Sequence, residues 1–585
     1  MKKIYALVLM FSLAVAGYAQ MPDLRWANGF GGPAGTPPAG DEMSVKMAPD
    51  DSGNVYVVGH FTGTVDFDPG VGVASLVSVG DSDIFVAKYG KSGELIWNFR
   101  IGGAGPDEAL GISLKSDTFY ITGSFSRDSV DFDPIVGGSY LSSHGGKDIF
   151  VAMFDTTGFL FWCHGIGFTG NDVANSIAVD DSGNVILTGS FQSNVDFDPG
   201  AGVANLNTGG APSDAFVAKY SNAGAFRFAF DFGGGTTAEA GLDVATDDSG
   251  NVFAVGQFQG SSIDFDPDPV ATAFLNSHGN YDGYVASYDV AGHYRWAFSL
   301  GGLTNFSDRC TGIAIDTGGN VLITGRFTGQ ADFDPGAGVV NLNSPGGNDA
   351  FIAKYDNNGI YSWAYQVGGG SSNDEGLDIT ANVYNNYVLV TGYFVGVVDF
   401  NPGGPVANLT SAGDEDIFVA AYEPGGAYAW AFNAGGVATD NGVSINTNLD
   451  LDTPRVRLYV GGNFSSIADF KPGVDTSTLT SRGGRDLFIA QYIDPYPVGI
   501  QDIPSSQATF SLYPNPAQTQ LYVVFGEPVP SSELRITDMN GRLVHQQLVS
   551  GKSVFLDVSS MDAGIYLVSL TGKNSISHSR FSVIK

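Results

Sequence analysis

Aspartate pairs with one residue between them recur along the chain, and their oxygens could bind Ca²⁺. Five such pairs lie in the string Asp-Phe-Asp-Pro. Carboxylate oxygens beside turn carbonyls are the hard ligands that Ca²⁺ prefers, and residues two apart in a strand face the same side. The pattern therefore suggests Ca²⁺ as the one candidate cofactor. The candidate ligands are Asp66 and Asp68, Asp131 and Asp133, Asp196 and Asp198, Asp264 and Asp266, and Asp332 and Asp334.

The same string also has a structural interpretation, in which the first Asp accepts hydrogen bonds from turn N–H groups and Pro fixes the backbone. In seven copies of the string, the second Asp is replaced only by Asn401 and Lys471. A Lys at a ligand position would repel a cation, yet the turn motif is kept. The comparison favours the structural role and leaves metal binding open. The copies begin at Asp66, Asp131, Asp196, Asp264, Asp332, Asp399 and Asp469.

Two further sets of acids recur once per copy. A catalytic residue is needed once in a protein, whereas a contact between repeated units is needed in every unit, so we interpret both sets as architectural. The chain has no H-E-x-x-H, G-x-S-x-G or P-loop motif, which are signatures of common enzymes. The sequence therefore predicts a protein that is not an enzyme. The sets are Asp83, Asp148, Asp214, Asp282, Asp349, Asp416 and Asp486, and Asp107, Asp172, Glu239, Asp308, Asp374 and Asp440.

These acids belong to a repeat whose copies are roughly 65 to 70 residues apart, a period that indicates a repeat architecture. Each unit also has an aromatic residue after a turn, and all six Trp of the chain lie at this position. In the second unit, strands are predicted at 97–101, 112–114, 119–125 and 149–154, bounded by Gly, Asp and Pro. The aromatic residues are Trp26, Trp97, Trp162, Phe228, Trp296, Trp363 and Trp430.

The repeats predict an all-β fold: a seven-bladed β-propeller with four strands per blade, followed by a small β-sandwich. Seven units fall within the 4 to 8 blades of known propellers, and both ends of the array stop after whole units. An open solenoid is the alternative architecture. The extra length of each unit is expected in loops after the Asp-Phe-Asp-Pro string. The pattern does not indicate which strand is innermost.

The two ends of the chain differ in composition from the repeat array. Lys2 and Lys3 precede an apolar run at 4–16 and small residues at 17 and 19, which is typical of a secretory signal peptide. We expect a signal peptide at 1–19, the propeller at 20–494, a Pro-containing linker at 495–508 and a C-terminal domain at 509–585. No later stretch is long and apolar enough to be a transmembrane segment.

Composition excludes several classes of protein. A hydrophobic content of 43% argues against a disordered chain. A net charge of -34 argues against a nucleic acid partner, because phosphates would be repelled. The two cysteines, Cys163 and Cys310, lie in units that are not neighbours. The sequence therefore predicts two free, buried thiols.

Three stretches of the array share one pattern: GISLKSDTFYITGSF at 111–125, SIAVDDSGNVILTGSF at 176–191 and GIAIDTGGNVLITGRF at 312–327. Together with the Trp strand, the Gly-Gly turn and the D-x-F-V-A-K-Y strand, they resemble the SBBP β-propeller repeat of secreted bacterial proteins. The resemblance covers about residues 30–490. It implies a β-propeller fold and no particular function.

Four ordered motifs mark the end of the chain: Tyr513 to Pro516, the segment 538–542, the segment 557–559, and the segment 563–566. They resemble the C-terminal sorting domain of the type IX secretion system of Gram-negative bacteria. The resemblance implies that the type IX secretion machinery is a partner. It also implies a protein that is secreted or held on the outer cell surface of such a bacterium. The matching residues are Tyr513, Pro514, Asn515, Pro516, Asp538, Gly541, Arg542, the segment 557–559, Gly564, Tyr566 and the final Lys585.

Together these features predict a secreted or cell-surface, non-enzymatic β-propeller that serves as a binding or structural module. Its loops would bind an extracellular protein or glycan, because loops on a rigid scaffold usually carry binding. The alternative is an extracellular enzyme that acts on polysaccharide with a site in the propeller funnel. Non-repeating polar residues clustered in the funnel would favour the enzyme, and repeat-equivalent residues would favour the binding or structural module.

Overall fold

The computed structural model describes residues 21–32, 45–127, 129–233, 237–302, 307–370, 372–382, 384–450, 455–473, 475–494, 510–538, 543–561, 563–571 and 576–584. The chain divides into two compact units, Met1–Val498 and Gly499–Lys585. The predicted signal peptide, the predicted linker and the site residues Gly541, Arg542 and Lys585 lie outside the described residues. The regular structure described is β-strand, as the all-β prediction requires.

Short antiparallel strands make up the larger unit, because apolar, β-branched and aromatic residues stand between tight turns. The strands form four-stranded sheets whose strands follow one another in chain order, and the last two of these are joined into one eight-stranded sheet by a short pairing of Gly435 and Gly436 with Asp469 and Ala468. The first six sheets, with strands numbered along the chain, are β2 (Val45–Pro49), β3 (Val55–Phe61), β6 (Asp83–Tyr89) and β7 (Leu95–Ile101); β8 (Glu108–Lys115), β9 (Thr118–Ser126), β12 (Lys147–Asp155) and β13 (Leu160–Ile166); β14 (Val173–Val179), β15 (Val185–Phe191), β18 (Asp214–Tyr220) and β19 (Phe226–Phe232); β20 (Ala240–Thr246), β21 (Val252–Phe258), β24 (Asp282–Tyr288) and β25 (Tyr294–Leu300); β26 (Arg309–Ile315), β27 (Val321–Asp332), β28 (Asn341–Tyr355) and β29 (Tyr361–Val367); and β30 (Glu375–Ala381), β31 (Val388–Phe394), β34 (Asp416–Tyr422) and β35 (Tyr428–Gly436).

The seventh sheet is completed by the first strand of the described chain. It contains β36 (Asn441–Asp450), β37 (Arg455–Asp469) and β38 (Thr478–Ile493), and β38 pairs with β1 (Asp23–Phe30), where Ala27 lies opposite Ala490. The Trp-containing strand that opens each sequence unit is therefore the fourth strand of the preceding sheet. This corrects the predicted grouping of 97–101 with the strands that follow it, because a sequence period does not show where a sheet begins.

A small hairpin follows the second strand of most sheets, and the Asp-Phe-Asp-Pro string ends its first strand. The sequence predicted only loops after the Asp-Phe-Asp-Pro string. In the fifth and seventh sheets the hairpin is continuous with β27 and β28, and with β37 and β38. The separate hairpins are β4 (Thr64–Asp66) with β5 (Ser75–Val77), β10 (Val130–Asp131) with β11 (Tyr140–Leu141), β16 (Asn194–Asp196) with β17 (Asn205–Asn207), β22 (Ile263–Asp264) with β23 (Phe274–Leu275), and β32 (Val397–Asp399) with β33 (Asn408–Thr410).

Hydrophobic clusters fill the junctions, which we define as the spaces between consecutive sheets. The cluster at the seventh-to-first junction combines Phe30, Tyr459 and Leu487 of the seventh sheet with Val57 and Phe85 of the first. The sheet at the end of the series thus packs on the sheet at its start. Each sheet is apolar on both faces and is covered by its neighbours, which is a propeller-like arrangement.

The C-terminal unit is all-β and has its own core. Its strands are linked in one sheet, in which β40 (Gln520–Asp538) pairs with three others. Pairing of β40 is irregular between Val524 and Ser532, and Leu521 and Leu534 on either side of this stretch share one core. The two halves of the sheet therefore enclose a common interior. The strands are β39 (Phe510–Tyr513), β40 (Gln520–Asp538), β41 (Leu543–Asp557), β42 (Gly564–Thr571) and β43 (Ile576–Val583).

Candidate functional site

The Asp-Phe-Asp-Pro turns, which are the candidate Ca²⁺ sites, use their first carboxylate to bind the backbone. Asp66 Oδ1 accepts hydrogen bonds from the N–H groups of Asp68 at 3.1 Å and Ala74 at 2.8 Å. Asp68 lies beyond the end of β4, so strand alternation does not place the two carboxylates on one side. This geometry fits the structural role of the first Asp, and Ca²⁺ binding at the pairs stays a prediction. The same pattern of bonds occurs at Asp131, Asp196, Asp264, Asp332, Asp399 and Asp469.

The same turns are also tied to the third strand of their sheet. The hydroxyl of Tyr89 donates a hydrogen bond to the carbonyl of Phe67 at 3.0 Å, and both side chains are buried. A buried carbonyl without a partner is costly, so this bond holds the turn on the sheet. The second unit has Phe154 in place of the tyrosine. The bond recurs from Tyr220, Tyr288, Tyr355, Tyr422 and Tyr492.

The two sets of recurrent acids meet at the junctions. At the sixth-to-seventh junction, Asp440 accepts hydrogen bonds from the N–H groups of Gly436 at 2.7 Å and Ser465 at 2.8 Å. Its own N–H donates to the carbonyl of Glu415. Burial raises the pKa of Asp416 to about 6 and that of Asp440 to about 7. The acids link one sheet to the next, which fits their interpretation as architectural.

The recurrent Trp residues join sheets in a second way. Nε1 of Trp296, in the fourth sheet, donates to the carbonyl of Asn357 in a turn of the fifth sheet at 3.0 Å. Gly359 of that turn has a φ of +77° and lies against the indole, so a side chain there would collide with it. Trp26 repeats the bond from the seventh sheet to the carbonyl of Lys91 in the first, at 3.2 Å.

The first strands of all seven sheets line one cavity of about 200 Å³. The first strand of each sheet is therefore innermost, which the sequence pattern did not indicate. Lining residues come from β2, β8, β14, β20, β26, β30 and β36. This cavity is the candidate functional site, because the middle of a propeller is where its blades jointly present side chains.

One position of the inner strands differs from sheet to sheet and carries the charges of the cavity. Asp243 accepts hydrogen bonds from the Ser176 hydroxyl at 2.6 Å and the Ile313 N–H at 2.8 Å, and Asp378 accepts one from the Ile445 N–H at 2.8 Å. Both carboxylates thus bind the first strand of the following sheet. The equivalent residues in sheet order are Lys46, Gly111, Ser176, Asp243, Gly312, Asp378 and Ser444.

Burial in the cavity is the main influence on the pKa of Asp243. Burial raises the pKa of Asp243 to about 6, the negative charge of Asp378 raises it further, and the Lys46 ammonium opposes the shift. Sequence reasoning missed these three residues. A signal was present, since Asp243 and Asp378 stand in the strings G-L-D-V and G-L-D-I where other units have Gly, Ser or Lys.

No group of three His, Cys, Asp or Glu side chains converges closely enough to hold a metal ion within the described ranges. A second cavity, of about 320 Å³, lies beside Asp131 and Asp133, and Arg100 also lines it. The guanidinium opposes a cation there. Cys163 is half-buried and Cys310 is buried, and both are free thiols. Burial raises the pKa of Cys163 to about 11, so its thiolate is scarce near neutral pH.

In the C-terminal unit, the first sorting motif holds the last strand. Asn515 accepts a hydrogen bond from the N–H of Ser582 at 2.9 Å and donates one to the carbonyl of Arg580 at 3.1 Å. Tyr566, from another motif, is buried in the core of the unit. The remaining described sorting residues are Tyr513, Pro514, Pro516 and Gly564, with the backbone of Asp538.

Comparison with known proteins agrees with this picture in part. Residues 511–585 match the family described as the secretion system C-terminal sorting domain. An uncharacterized WD repeat-containing protein of Acanthamoeba polyphaga mimivirus, L264, is 24% identical over 495 residues, which cover 72% of this chain and 35% of that protein. The chain thus spans about a third of the length of this relative.

A solved structure of PorZ, described as an essential bacterial surface component of the type-IX secretion system of Porphyromonas gingivalis, is 14% identical. It covers 93% of this chain and 74% of that one, with a TM-score of 0.19, which is too low to assign a shared fold.

The fold and the sorting tail together define a class of protein. The chain is a β-propeller-like protein that carries a type IX secretion sorting tail. The tail implies contact with the type IX secretion machinery, followed by secretion or attachment to the cell surface. Among the described residues, no helix has the length and apolarity that a membrane span requires.

Proposed function

We propose that this protein is a closed, seven-bladed β-propeller of the SBBP type that acts, after type IX export, as a non-enzymatic binding or structural module outside the cell. The observation that carries the proposal is the single cavity lined by the first strand of every sheet. The seven sheets are the blades, and β1 closes the ring by completing the last one.

The chemistry of the cavity supports a module without catalysis. Both carboxylates that face it, Asp243 and Asp378, accept hydrogen bonds from the backbone of the next sheet. A cavity of about 200 Å³ is also smaller than the roughly 300–1,000 Å³ of ordinary ligand pockets. Lys46, Asp243 and Asp378 are non-repeating polar residues, which is the feature expected of an enzyme site. Both acids are nevertheless engaged in contacts between blades, so the polysaccharide enzyme is the weaker candidate function.

Binding is better supported at the hairpins that carry the Asp-Phe-Asp-Pro turns. Four equivalent valines in these hairpins are 69–79% exposed, which is unusual for an apolar side chain that recurs at one position. Repeated apolar contacts on rigid hairpins suit an extended or repetitive partner, either a protein or a glycan. The residues are Val73, Val203, Val339 and Val406.

Export and activity can be tested on the full chain. In a bacterium with type IX secretion, the intact protein is expected in the medium or on the surface, and a version that ends before Ser511 is expected to stay inside. The exported protein, incubated with a panel of extracellular polysaccharides, is expected to release no product. It is expected to show saturable binding on glycan or protein arrays. Product release that Asp243→Asn and Asp378→Asn abolish would contradict the proposal and favour the enzyme.

A further inference from the structure

We propose that the cavity at the first-to-second junction binds a neutral sugar unit of an extracellular glycan, through Arg100, Asp133 and the apolar turn residue Ile135. The proposal rests on the proposed function, because it names a glycan as the ligand of the binding module. Two departures from the repeat meet in this cavity, one on each wall.

The cavity has a volume of about 320 Å³ and lies between the end of the first sheet and the hairpin of the second. Arg100 and Gly102 form one wall, and Asp131 with residues 133–137 forms the other. The volume falls within the roughly 300–1,000 Å³ of ordinary ligand pockets, which the central cavity does not reach. Space for a small ligand is therefore present at this junction.

The first departure is Arg100, which is the only basic residue at its position in the seven sheets. Its Nη1 donates hydrogen bonds to the buried carboxylate of Asp83 and to the carbonyl of Gly102. Asp83 thus balances the charge, and Nε and Nη2 make no hydrogen bond with the part of the chain that the structure describes. Arg100 therefore offers further N–H donors to a ligand. The equivalent residues in the second to seventh sheets are Gly165, Asp231, Ser299, Gln366, Asn433 and Gly29.

The second departure is the shape of the turn that follows Asp133. Ile135 stands where five of the seven copies of the string have Gly. Gly137 has a left-handed φ of +80°, which its equivalents Gly72 and Gly202 do not share. In the first and third units, the second carboxylate of the string lies over that glycine, where a Cβ would overlap its Oδ2. The carboxylate of Asp133 makes no such contact with Gly137, and it lines the cavity instead.

Asp133 uses one carboxylate oxygen on the backbone and has the other for a ligand. Its Oδ1 accepts hydrogen bonds from the N–H groups of Ile135 at 3.2 Å and Val136 at 3.0 Å. Its Oδ2 accepts none from the described residues, although Asp133 is only 8% exposed. A buried oxygen without a partner is costly, so a hydroxyl of a ligand would stabilise it. The equivalent Asp residues are more exposed than Asp133, and they are Asp68, Asp198, Asp266 and Asp334.

The charges of the two walls favour a neutral ligand. Asp131 and Asp133 repel an anion, whereas the guanidinium of Arg100 opposes a cation. Hydroxyl groups both donate and accept hydrogen bonds, so a set of them can bind the carboxylate and the guanidinium together. Ile135 adds an apolar wall beside Gly158 in the turn after β12, which suits the C–H face of a sugar ring. A serine or threonine of a protein partner carries one hydroxyl, so a sugar unit fits these groups better.

A glycan array followed by calorimetric titration of the full-length protein tests the proposal. The probes are neutral oligosaccharides of glucose, galactose, mannose or N-acetylglucosamine, with oligogalacturonate as the anionic probe. The wild type is expected to bind at least one neutral probe and to leave oligogalacturonate unbound.

Three variants test the walls, and each introduces a residue that another unit of this chain has at the same position. Arg100→Gln and Asp133→Asn, which follow Gln366 and Asn401, are expected to lose at least tenfold in affinity. Ile135→Gly is expected to lose several-fold. Asp198→Asn in the third unit is the matched control and should keep the wild-type affinity. Melting curves verify that all four variants are folded.

Binding of no neutral probe would overturn the proposal, and so would binding of oligogalacturonate alone. Unchanged affinity in both Arg100→Gln and Asp133→Asn, or an equal loss in Asp198→Asn, would also overturn it. A protein or glycan ligand whose binding survives all three substitutions would overturn this site and leave the proposed function standing. Release of product from the bound glycan would contradict the proposed function instead, because a binding module leaves its ligand intact.

Discussion

Nε1 of Trp26, near the start of the described chain, donates a hydrogen bond to the carbonyl of Lys91 in the first sheet, although Trp26 itself lies in the seventh sheet. The same contact links Trp162 to the carbonyl of Asn222 in the next sheet. A contact that joins consecutive sheets therefore also joins the last sheet to the first. This relationship is what a closed ring requires and an open array lacks.

Removal of one buried hydroxyl should destabilise a turn without changing the fold. Tyr355→Phe deletes the donor to the carbonyl of Phe333, a bond of 2.9 Å. The buried carbonyl then lacks a partner, which costs about 1–3 kcal/mol. Denaturant unfolding is expected to show this loss. The control Tyr522→Phe removes the hydroxyl of an exposed ring in the C-terminal unit and should change stability by less than about 0.5 kcal/mol. Equal effects of both variants would contradict the role of the bond.

A buried ion pair makes Lys354 sensitive to neutral substitution. Its Nζ lies 2.7 Å from Asp316 and also donates to the carbonyl of Pro424 in the next sheet. Lys354→Met leaves the buried carboxylate without its cation, which costs about 3–5 kcal/mol. Lys471→Met, which removes an exposed pair with Asp475, is the control and should cost less than about 1 kcal/mol. Thermal melting of both variants measures the difference.

Stability should fall as pH rises from about 4 to about 7. Burial raises the pKa of Asp107, Asp374 and Asp440 to about 7, above the value of the unfolded chain. The folded state therefore binds more protons than the unfolded state in this window, and the penalty for ionising these groups is complete above it. The melting temperature is expected to be higher at pH 5 than at pH 8.

Substitution of one acid at a junction should weaken this pH dependence. In Asp416→Asn, the amide oxygen can still accept the bond from Ala412, and the amide nitrogen replaces an oxygen that has no partner among the described residues. Melting curves at pH 5 and pH 8 should then differ less than in the wild type. A wild type that melts higher at pH 8 would show that raised carboxyl pKa values do not control stability.

The sorting motif should affect export through its hold on the last strand. Asn515→Ala removes the bonds to Ser582 and Arg580, and the secreted fraction is expected to drop several-fold while the amount in the cell rises. Gln518→Ala, an exposed neighbour outside the motif, should be exported normally. Immunoblots of medium, surface and cell fractions measure both. Normal export of Asn515→Ala would show that export does not require these bonds.

Much of the fold was predictable because each strand and turn pattern occurs in several repeats, so a weak local pattern can be recognised by its recurrence. The first Asp of the Asp-Phe-Asp-Pro string caps its turn in every unit, and comparison with Lys471 had favoured that role. The sheet boundaries were not predictable, because the strand that contains Trp26 pairs with residues at the far end of the array. Periodicity records the order of strands along the chain and not which strand completes which sheet.

The charged residues of the cavity were missed for a related reason. Asp243 and Asp378 differ from the residues at the same position in the other units. A comparison of repeats emphasises the positions that all units share, so residues that occur in only one or two units are overlooked. Asp214 shows the same limit: its type recurs in all seven units, while its surroundings change through Asp231 and Glu239. The register of β18 and β19 brings Asp231 near Asp214, and a backbone bond from Glu239 to Ser213 brings Glu239 there.

Closure of the ring is the central claim, and a disulfide between its two ends tests it most directly. Ala27 and Ala490 are direct partners in β1 and β38, and such partners have Cα atoms about 4.5–5.5 Å apart, within the range that a disulfide bridges. In Ala27→Cys with Ala490→Cys, mass spectrometry of the oxidised, protease-digested protein is expected to find the two peptides joined, with no such species in either single variant. Two unlinked peptides from a folded, oxidised double variant would contradict the closed propeller.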